Sequence, residues 1–429
     1  MLSYLNWSAD QIDKEIQTLQ EQLQKFIAMK LNLNMTRGKP CSEQLALSAG
    51  LHDSLGPQDY RAEDGTDCRN YGGLDGLPEA RRLFAGLLGI KQDQVMVLGN
   101  SSLNLMYDMM VRCLLFALPG SEKSWQQQGR VRFLCPVPGY DRHFTVCASL
   151  GIEMIPVSMT ADGPDMDQVE ALAGADPLIK GMWAVPVYSN PDGITYSEET
   201  CRRLAAMRTA APDFRLFWDN AYFMHHFNPD RPETTPEMLA LCAAAGNANR
   251  TLTFASTSKV TWAGSGMACI AASQDNLDFI RRHMTAQTIG PDKMNQLRHV
   301  RFLRDQAGVA SLMRLHAAIL KPKFNLVANY LEEQLGPTGV CRWNNPGGGY
   351  FFSLMVLPGT ATRVVALCQT CGVALTPAGS TWPYGRDPED SNIRLAPSFP
   401  PLSELETAMQ VICVCVRLAA LDKLRTQAG

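Results

Sequence analysis

TFASTSKVTWAGSGMA, residues 253–268, joins an apolar strand to a lysine and then to a glycine-rich loop. Residues 251–255 are apolar and β-prone, as a strand inside a sheet would be. Ser256, Thr257 and Ser258 then set three hydroxyls directly in front of Lys259, and Gly264 and Gly266 follow. A lysine at the end of a buried strand is poorly placed for solvation. It is well placed to form an imine with an aldehyde. Taken alone, a strand-end lysine reaching for water is the commoner case. The rest of the chain shifts that balance.

On both sides of this stretch, strand-like and helical runs alternate. The strand-like runs are 94–98, 131–135, 153–157, 181–187, 215–218, 252–255 and 268–271. Helical runs at 103–115, 142–149, 166–173, 198–210 and 236–244 lie between most of them. This pattern predicts a large α/β domain with a largely parallel sheet. The ends of the chain read differently. Ser8 and Gln11 form a capping-box pattern, and Ile12, Ile16, Leu19 and Leu23 mark one face of a helix reaching about Lys30. Residues 298–335 read as nearly continuous helix broken near Pro322. Strands at 351–356 and 392–396 follow, with a helix at 362–371 and a terminal helix at 402–424. Both ends therefore build a smaller α/β domain, giving expected units of 1–50, 51–297 and 298–429.

In open α/β sheets, ligands collect at the carboxyl ends of the strands. After 94–98 come Gly99, Asn100, Ser101 and Ser102 opening a helix, which suits either an anion site or an ordinary N-cap. After 131–135 a rigid Pro136-Val137-Pro138-Gly139 turn projects Tyr140, a ring that could stack on a flat ligand or fill the core. After 181–187 comes Asn190, followed by Pro191, a pattern equally at home in a plain turn. After the apolar strand FRLFW comes Asp219, then Tyr222 three residues on. An unpaired acid there is costly to bury. A pyridinium N–H would stabilise it and be kept protonated by it, the pairing that makes a pyridine ring an electron sink. Asn190, then Asp219 with Tyr222, then Lys259, set after three strands in chain order, are more specific together than any one alone.

The composition fits a folded, enzyme-sized chain. It has 429 residues, 46% hydrophobic and 19% charged, enough for two or three domains and a large core. A net charge of −3 argues against nucleic acid or an anionic membrane as the main partner. The start MLSYLNWSADQIDKEIQ lacks the basic residues and apolar run of a signal peptide, and no apolar segment reaches membrane-spanning length. The thirteen cysteines are irregularly spaced. Cys368 and Cys371 form a CxxC within a helical pattern, so buried thiols in a reducing cytoplasm are expected and no metal site is.

RNYGGLDGLPEAR (69–81), GNSSLNLMYD (99–108), PVPGYDRHF (136–144), YSNPDGITYS (188–197), WDNAY (218–222), STSKV (256–260), GGGYFF (347–352) and SNIRLAPS (391–398) run through almost the whole chain. In these motifs the sequence resembles the fold type I, pyridoxal phosphate (PLP)-dependent class I aminotransferases, in particular the bacterial aspartate aminotransferase subgroup Ic. The resemblance implies a large domain with a mostly parallel seven-stranded sheet, pyridoxal 5'-phosphate as cofactor, a homodimer with shared active sites, and ping-pong amino transfer between an amino acid and a 2-oxo acid. It implies Lys259 as the cofactor-linked lysine and proton carrier, Asp219 under the pyridine nitrogen, Tyr222 and Asn190 on the ring oxygen, and Tyr140 against the ring face. Asn100, Ser101, Ser102, Ser256 and Ser258 would hold the phosphate, and Tyr71 would reach the partner's cofactor. Arg394 would clamp the substrate α-carboxylate, a task suited to a guanidinium fork, with Gly38 and Asn190 also on the substrate side.

The sequence departs from the family pattern where an arginine often stands eight residues after the lysine. That position is Met267. No residue clearly matches the arginine that holds a second substrate carboxylate; Arg37, Lys39, Lys293 and Arg298 are the candidates. A PLP-dependent lyase or racemase would share every cofactor residue. An amino-acid-sensing module would lack turnover. A dinucleotide-binding reading of Gly72–Gly76 is disfavoured because those glycines follow a loop.

Overall fold

The structure is a computed structural model and describes residues 3–428. In chain order, α1 (Ala9–Ala28), α2 (Pro78–Leu88), β1 (Val95–Val97) and α3 (Ser102–Leu115) come first. They are followed by β2 (Arg132–Val137), α4 (Asp141–Ser149), β3 (Glu153–Thr160), the two-residue β4 (Gly163–Pro164), α5 (Met166–Ala175) and β5 (Ile179–Ala184). Next are α6 (Glu198–Ala206), β6 (Arg215–Asp219), α7 (Met238–Ala244), β7 (Thr251–Ser256), β8 (Ala268–Ala272) and α8 (Gln274–Met284). The last part holds α9 (Lys293–Leu303), α10 (Gln306–Tyr330), β9 (Cys341–Trp343), β10 (Phe352–Val356), α11 (Ala361–Thr370), β11 (Asn392–Leu395) and α12 (Leu402–Ala428).

The seven strands expected for the central sheet are all in it, and β4 adds a short eighth at one edge. The order is β1-β8-β7-β6-β5-β2-β3-β4. Pairings from β7 through β6, β5 and β2 to β3 are parallel, and β8 is antiparallel to both of its neighbours. From β2 the chain steps outward to β3, and from β5 it steps the other way to β6 and β7. The strand order thus reverses between β2 and β5, where an α/β sheet opens a crevice beyond its carboxyl ends. β5 leaves the sheet at Ala184, three residues before the expected end. Pro186 has no N–H to continue the ladder, and its carbonyl instead accepts from Tyr196 N at 2.8 Å.

The two chain ends share one core. The capping box at Ser8 is formed, and Ile12, Ile16, Leu19 and Leu23 bury into a cluster with Met409, Ile412, Val416 and Ala420 of α12. β9, β10 and β11 form a separate antiparallel sheet. The expected helix break near Pro322 is corrected: Pro322 lies inside α10, and the break falls at Arg304 and Asp305. Arg304 has φ of 65°, and the Asp305 side chain accepts from Gly308 N at 2.9 Å to restart the helix. Proline's fixed φ is helical, so one lost hydrogen bond did not end a helix packed on both flanks. α10 is shared between two cores: Val309, Leu312 and Met313 pack with α2 and β1, whereas Leu320, Phe324 and Val327 join the core of the chain ends.

Candidate active site

At the end of β7 the chain turns tightly and presents Lys259. Thr257 fixes the turn: its N donates to Met267 O at 2.8 Å, and its Oγ1 accepts from Met267 N at 2.9 Å. Val260 N and Thr261 N both return to Thr257 O. Lys259 lines a cavity of about 230 Å³, with its Nζ 4.7 Å from the centroid of the Tyr222 ring. Burial holds its pKa below the usual lysine value, partly opposed by the charge of Asp219. Such an amine is neutral, and so nucleophilic, more of the time than a surface lysine. His225 is buried under it, with Nε2 3.3 Å from Lys259 O. Burial and the nearby lysine push that imidazole down to about 3, so it stays uncharged.

Asp219 ends β6 and is 2% exposed. Its Oδ2 lies 3.0 Å from His143 Nε2, and the His143 ring stacks on Trp183 at 4.2 Å and 9°. Its Oδ1 is buried without a hydrogen-bond partner among the described residues. Leaving a buried acceptor unsatisfied costs about 1–3 kcal/mol, so this oxygen is in effect reserved for a donor. Tyr140, Asn190 and Tyr222 line the same cavity. Burial raises the Tyr222 phenol well above its usual range and pushes Tyr140 up to about 12. Both hydroxyls are therefore protonated near neutrality.

The other end of the cavity is lined by hydroxyls. Ser101, Ser102, Ser256 and Ser258 are in its wall. Ser256 Oγ donates to Ser258 Oγ at 3.2 Å, and Ser258 Oγ also lies 3.2 Å from Asn100 O. Ser101 is the N-cap residue of α3, yet its side chain makes no capping bond, which leaves that hydroxyl free. Asn100 is exposed and does not line the cavity; it meets the wall only through its carbonyl, which accepts from Ser258 Oγ. Met267 is 1% exposed and packs among Val97, Ala255 and Cys269, so no cation replaces the arginine there. Tyr71 stands outside this cavity, 80% exposed.

A second cavity, of about 570 Å³, shares Tyr140, Asn190, Tyr222 and Lys259 with the first. Gly38 and Arg394 line it, together with Arg37, Lys39, Asp141 and Arg142. Arg394, on β11, is 6% exposed and its guanidinium lies 5.0 Å from the centroid of the Phe351 ring. Gly38 approaches the same ring so closely that a Cβ there would stand 2.3 Å from Phe351 Cζ. Two of the four candidate cations lie elsewhere. Lys293 is buried with Nζ on Gly72 O at 2.7 Å, and Arg298 donates to Ser265 Oγ and Asn295 Oδ1 at 2.6 Å each.

The sequence reading passed over His143, His225, Asp141 and Arg142. His143 and Arg142 follow Tyr140 closely on the first turn of α4, so the projecting tyrosine was the available signal. Among the described residues, no group of His, Cys, Asp or Glu side chains is arranged to hold a metal. All thirteen cysteines are free thiols, and all but Cys341 are buried.

Residues 7–428 match the aspartate amino-transferase family. A Corynebacterium glutamicum relative named aspartate aminotransferase is 47% identical over 98% of this chain and 97% of its own. The crystal structure of an aspartate transaminase from the same species superposes with a TM-score of 0.96 at 46% identity, covering 98% of this chain and 99% of that one. The Thermus thermophilus α-aminoadipate aminotransferase LysN, solved with a phosphopyridoxyl-leucine compound, shares the fold at a TM-score of 0.72 and 18% identity over 96% of each chain. With the match running nearly end to end, the chain belongs to the aspartate amino-transferase family.

Proposed function

We propose that this aminotransferase moves the amino group of aspartate or glutamate to a 2-oxo acid such as 2-oxoglutarate, with pyridoxal 5'-phosphate held in the 230 Å³ cavity. The observation that carries the reading is Asp219: a buried carboxylate oxygen without a partner among the described residues, in the same cavity as a desolvated lysine. The residues fit the cofactor: an amine for its aldehyde, an acceptor for its ring N–H, and hydroxyls with a helix N-terminus for its phosphate. Bound there, it supplies an electrophilic carbon and a ring that takes up the electron pair freed at the amino acid α-carbon.

Lys259 would hold the cofactor's aldehyde carbon until substrate takes its place, and its freed amine would take the proton from the α-carbon and return it on the far side of the amino nitrogen. Asp219 Oδ1 would accept from the ring N–H and keep that proton in place. Tyr222 and Asn190 would donate to the ring oxygen, and Tyr140 would cover one face. Ser101, Ser102, Ser256 and Ser258 would hold the phosphate, with Asn100 behind Ser258 in the hydrogen-bond chain. Arg394 holds the α-carboxylate and so fixes which substituent faces Lys259. Water would release the oxo acid, and a second oxo acid would use the same residues in the reverse order. On this reading residues 51–297 carry Lys259, and residues 1–50 and 298–429 carry Arg394.

Tyr71 supports a homodimer with shared sites. It is an exposed aromatic on a loop pinned by Lys293 on Gly72 O and by Arg281 on Asp75 at 2.8 Å. An exposed aromatic ring on a pinned loop suits a contact with a second copy of the chain. The free thiols support a reducing, cytoplasmic setting; among the described residues, no helix is long and apolar enough to cross a membrane.

The test is a visible spectrum of the purified protein. Aspartate or glutamate should bleach the aldehyde-form band, and 2-oxoglutarate should restore it. A spectrum indifferent to both amino acids would overturn the proposal.

Two further outcomes follow from the cleft. Lys39 Nζ already lies over the Phe399 ring at 4.0 Å, which leaves Arg37 and Arg142 as the forks for a second carboxylate. Replacing both with Gln should lower kcat/KM for aspartate by about 10²-fold, the scale of a lost charged hydrogen bond, and leave alanine nearly unaffected. Equal losses for both substrates would remove the assignment. Gly38→Ala should cost about 10²-fold in kcat/KM, because Phe351, displaced by the new methyl, moves under Arg394. Steady-state kinetics unchanged from the parent would show that the ring yields freely.

A further inference from the structure

We infer that Asp141 is a placeholder carboxylate: it neutralises Arg394 in the free protein and yields that guanidinium to the carboxylate of the substrate. The inference rests on the reading of Arg394 as the substrate clamp.

Arg394 is almost fully buried, and a buried cation is expensive without a partner. Its Nη1 donates to Asp141 Oδ1 at 2.8 Å. The remaining contacts are weak: Nη1 to Asn190 Oδ1 at 3.4 Å and Nη2 to Thr376 Oγ1 at 3.5 Å, with Nε unpartnered among the described residues. Both long contacts are to neutral oxygens near the limit of a hydrogen bond. Asp141 is thus the one short partner and the one carboxylate on Arg394 among the described residues.

Asp141 is also free to leave. Its side chain is 30% exposed against 6% for Arg394, so it is the partner with a way out to water. It is the first residue of α4, where unpaired N–H groups and the helix dipole favour a negative charge in a second position. Asp141 and Arg394 line the same 570 Å³ cleft as Lys259. An incoming carboxylate therefore meets a guanidinium already paired, and two carboxylates on one fork repel. Arg37, Lys39 and Arg142 on the same walls reduce that repulsion without cancelling it. Binding then includes the displacement of Asp141, whereas the proton transfers at Lys259 do not. Asp141 is a positioning residue that sets KM and leaves kcat alone.

Asp141→Asn in the holoenzyme keeps an oxygen for Nη1 and removes the charge. The expected result is a fall of about fivefold in KM for amino acid and oxo acid, the scale of a part-exposed ion pair. kcat should stay within about twofold, and the Kd of succinate, a non-reacting dicarboxylate, should fall by the same factor in calorimetry. A KM that rises or stays put overturns the proposal. If that variant does not fold, Asp141→Glu carries the test. Its longer carboxylate covers more of the guanidinium, so KM should rise about threefold at constant kcat, and an unchanged KM overturns the proposal. Arg394→Gln separates the two readings. If it leaves KM and succinate affinity intact, the clamp itself is wrong. If it weakens both while Asp141→Asn strengthens neither, the clamp stands and the placeholder falls.

Discussion

Lys259→Ala should abolish the visible band of the purified protein and lower turnover by about 10⁵- to 10⁶-fold, comparable to the loss of a residue that unites several catalytic roles. The substitution removes the amine that holds the aldehyde and the carrier of the α-proton together. A positioned general base alone contributes about 10²- to 10⁴-fold, so the loss should exceed that range. The lysine amine lies against the Tyr222 ring in an open cavity, so folding should survive its removal and circular dichroism should match the parent. An added primary amine of small size should restore part of the rate by entering the vacated space. Turnover within tenfold of the parent would place the chemistry elsewhere.

Asp219→Asn should lower the rate of the amino-acid half-reaction by about 10³-fold, the scale of losing one preorganised charge inside a water-poor site. The amide still reaches His143, but it cannot balance a protonated ring nitrogen. The same change should not destabilise the cofactor-free protein, because it removes a buried charge with one oxygen unsatisfied. Stopped-flow absorbance measures the first effect and thermal melting the second. A half-reaction within tenfold of the parent would detach Asp219 from the chemistry. This contrast is expected where a group is kept for function at a cost in stability.

Much of this architecture is written locally. The capping box at Ser8, the apolar strands and the small residues after each strand depend on near neighbours, and periodicity exposes them. Lys259, Asp219, Tyr222 and Asn190 were visible because each follows a strand of one sheet, and the topology takes all four to one crevice. His143 was not visible, because its role depends on Trp183, forty residues away, whose ring holds the imidazole against Asp219. Lys293 and Arg298 looked as eligible as Arg37 because sequence shows a charge and not its direction. The end of β5 at Ala184 was set by Pro186, whose missing donor outweighed an apolar run. The helix boundary at Arg304 was set by an N-cap at Asp305, while the more conspicuous Pro322 was tolerated.

Helix α10 belongs half to one hydrophobic core and half to the other. The walls bearing Lys259 and Arg394 are therefore tied to a common beam. Narrowing the gap between them means flexing that beam. Its softest place is fixed by chemistry, since Pro322 offers no N–H to the carbonyl of Ala318.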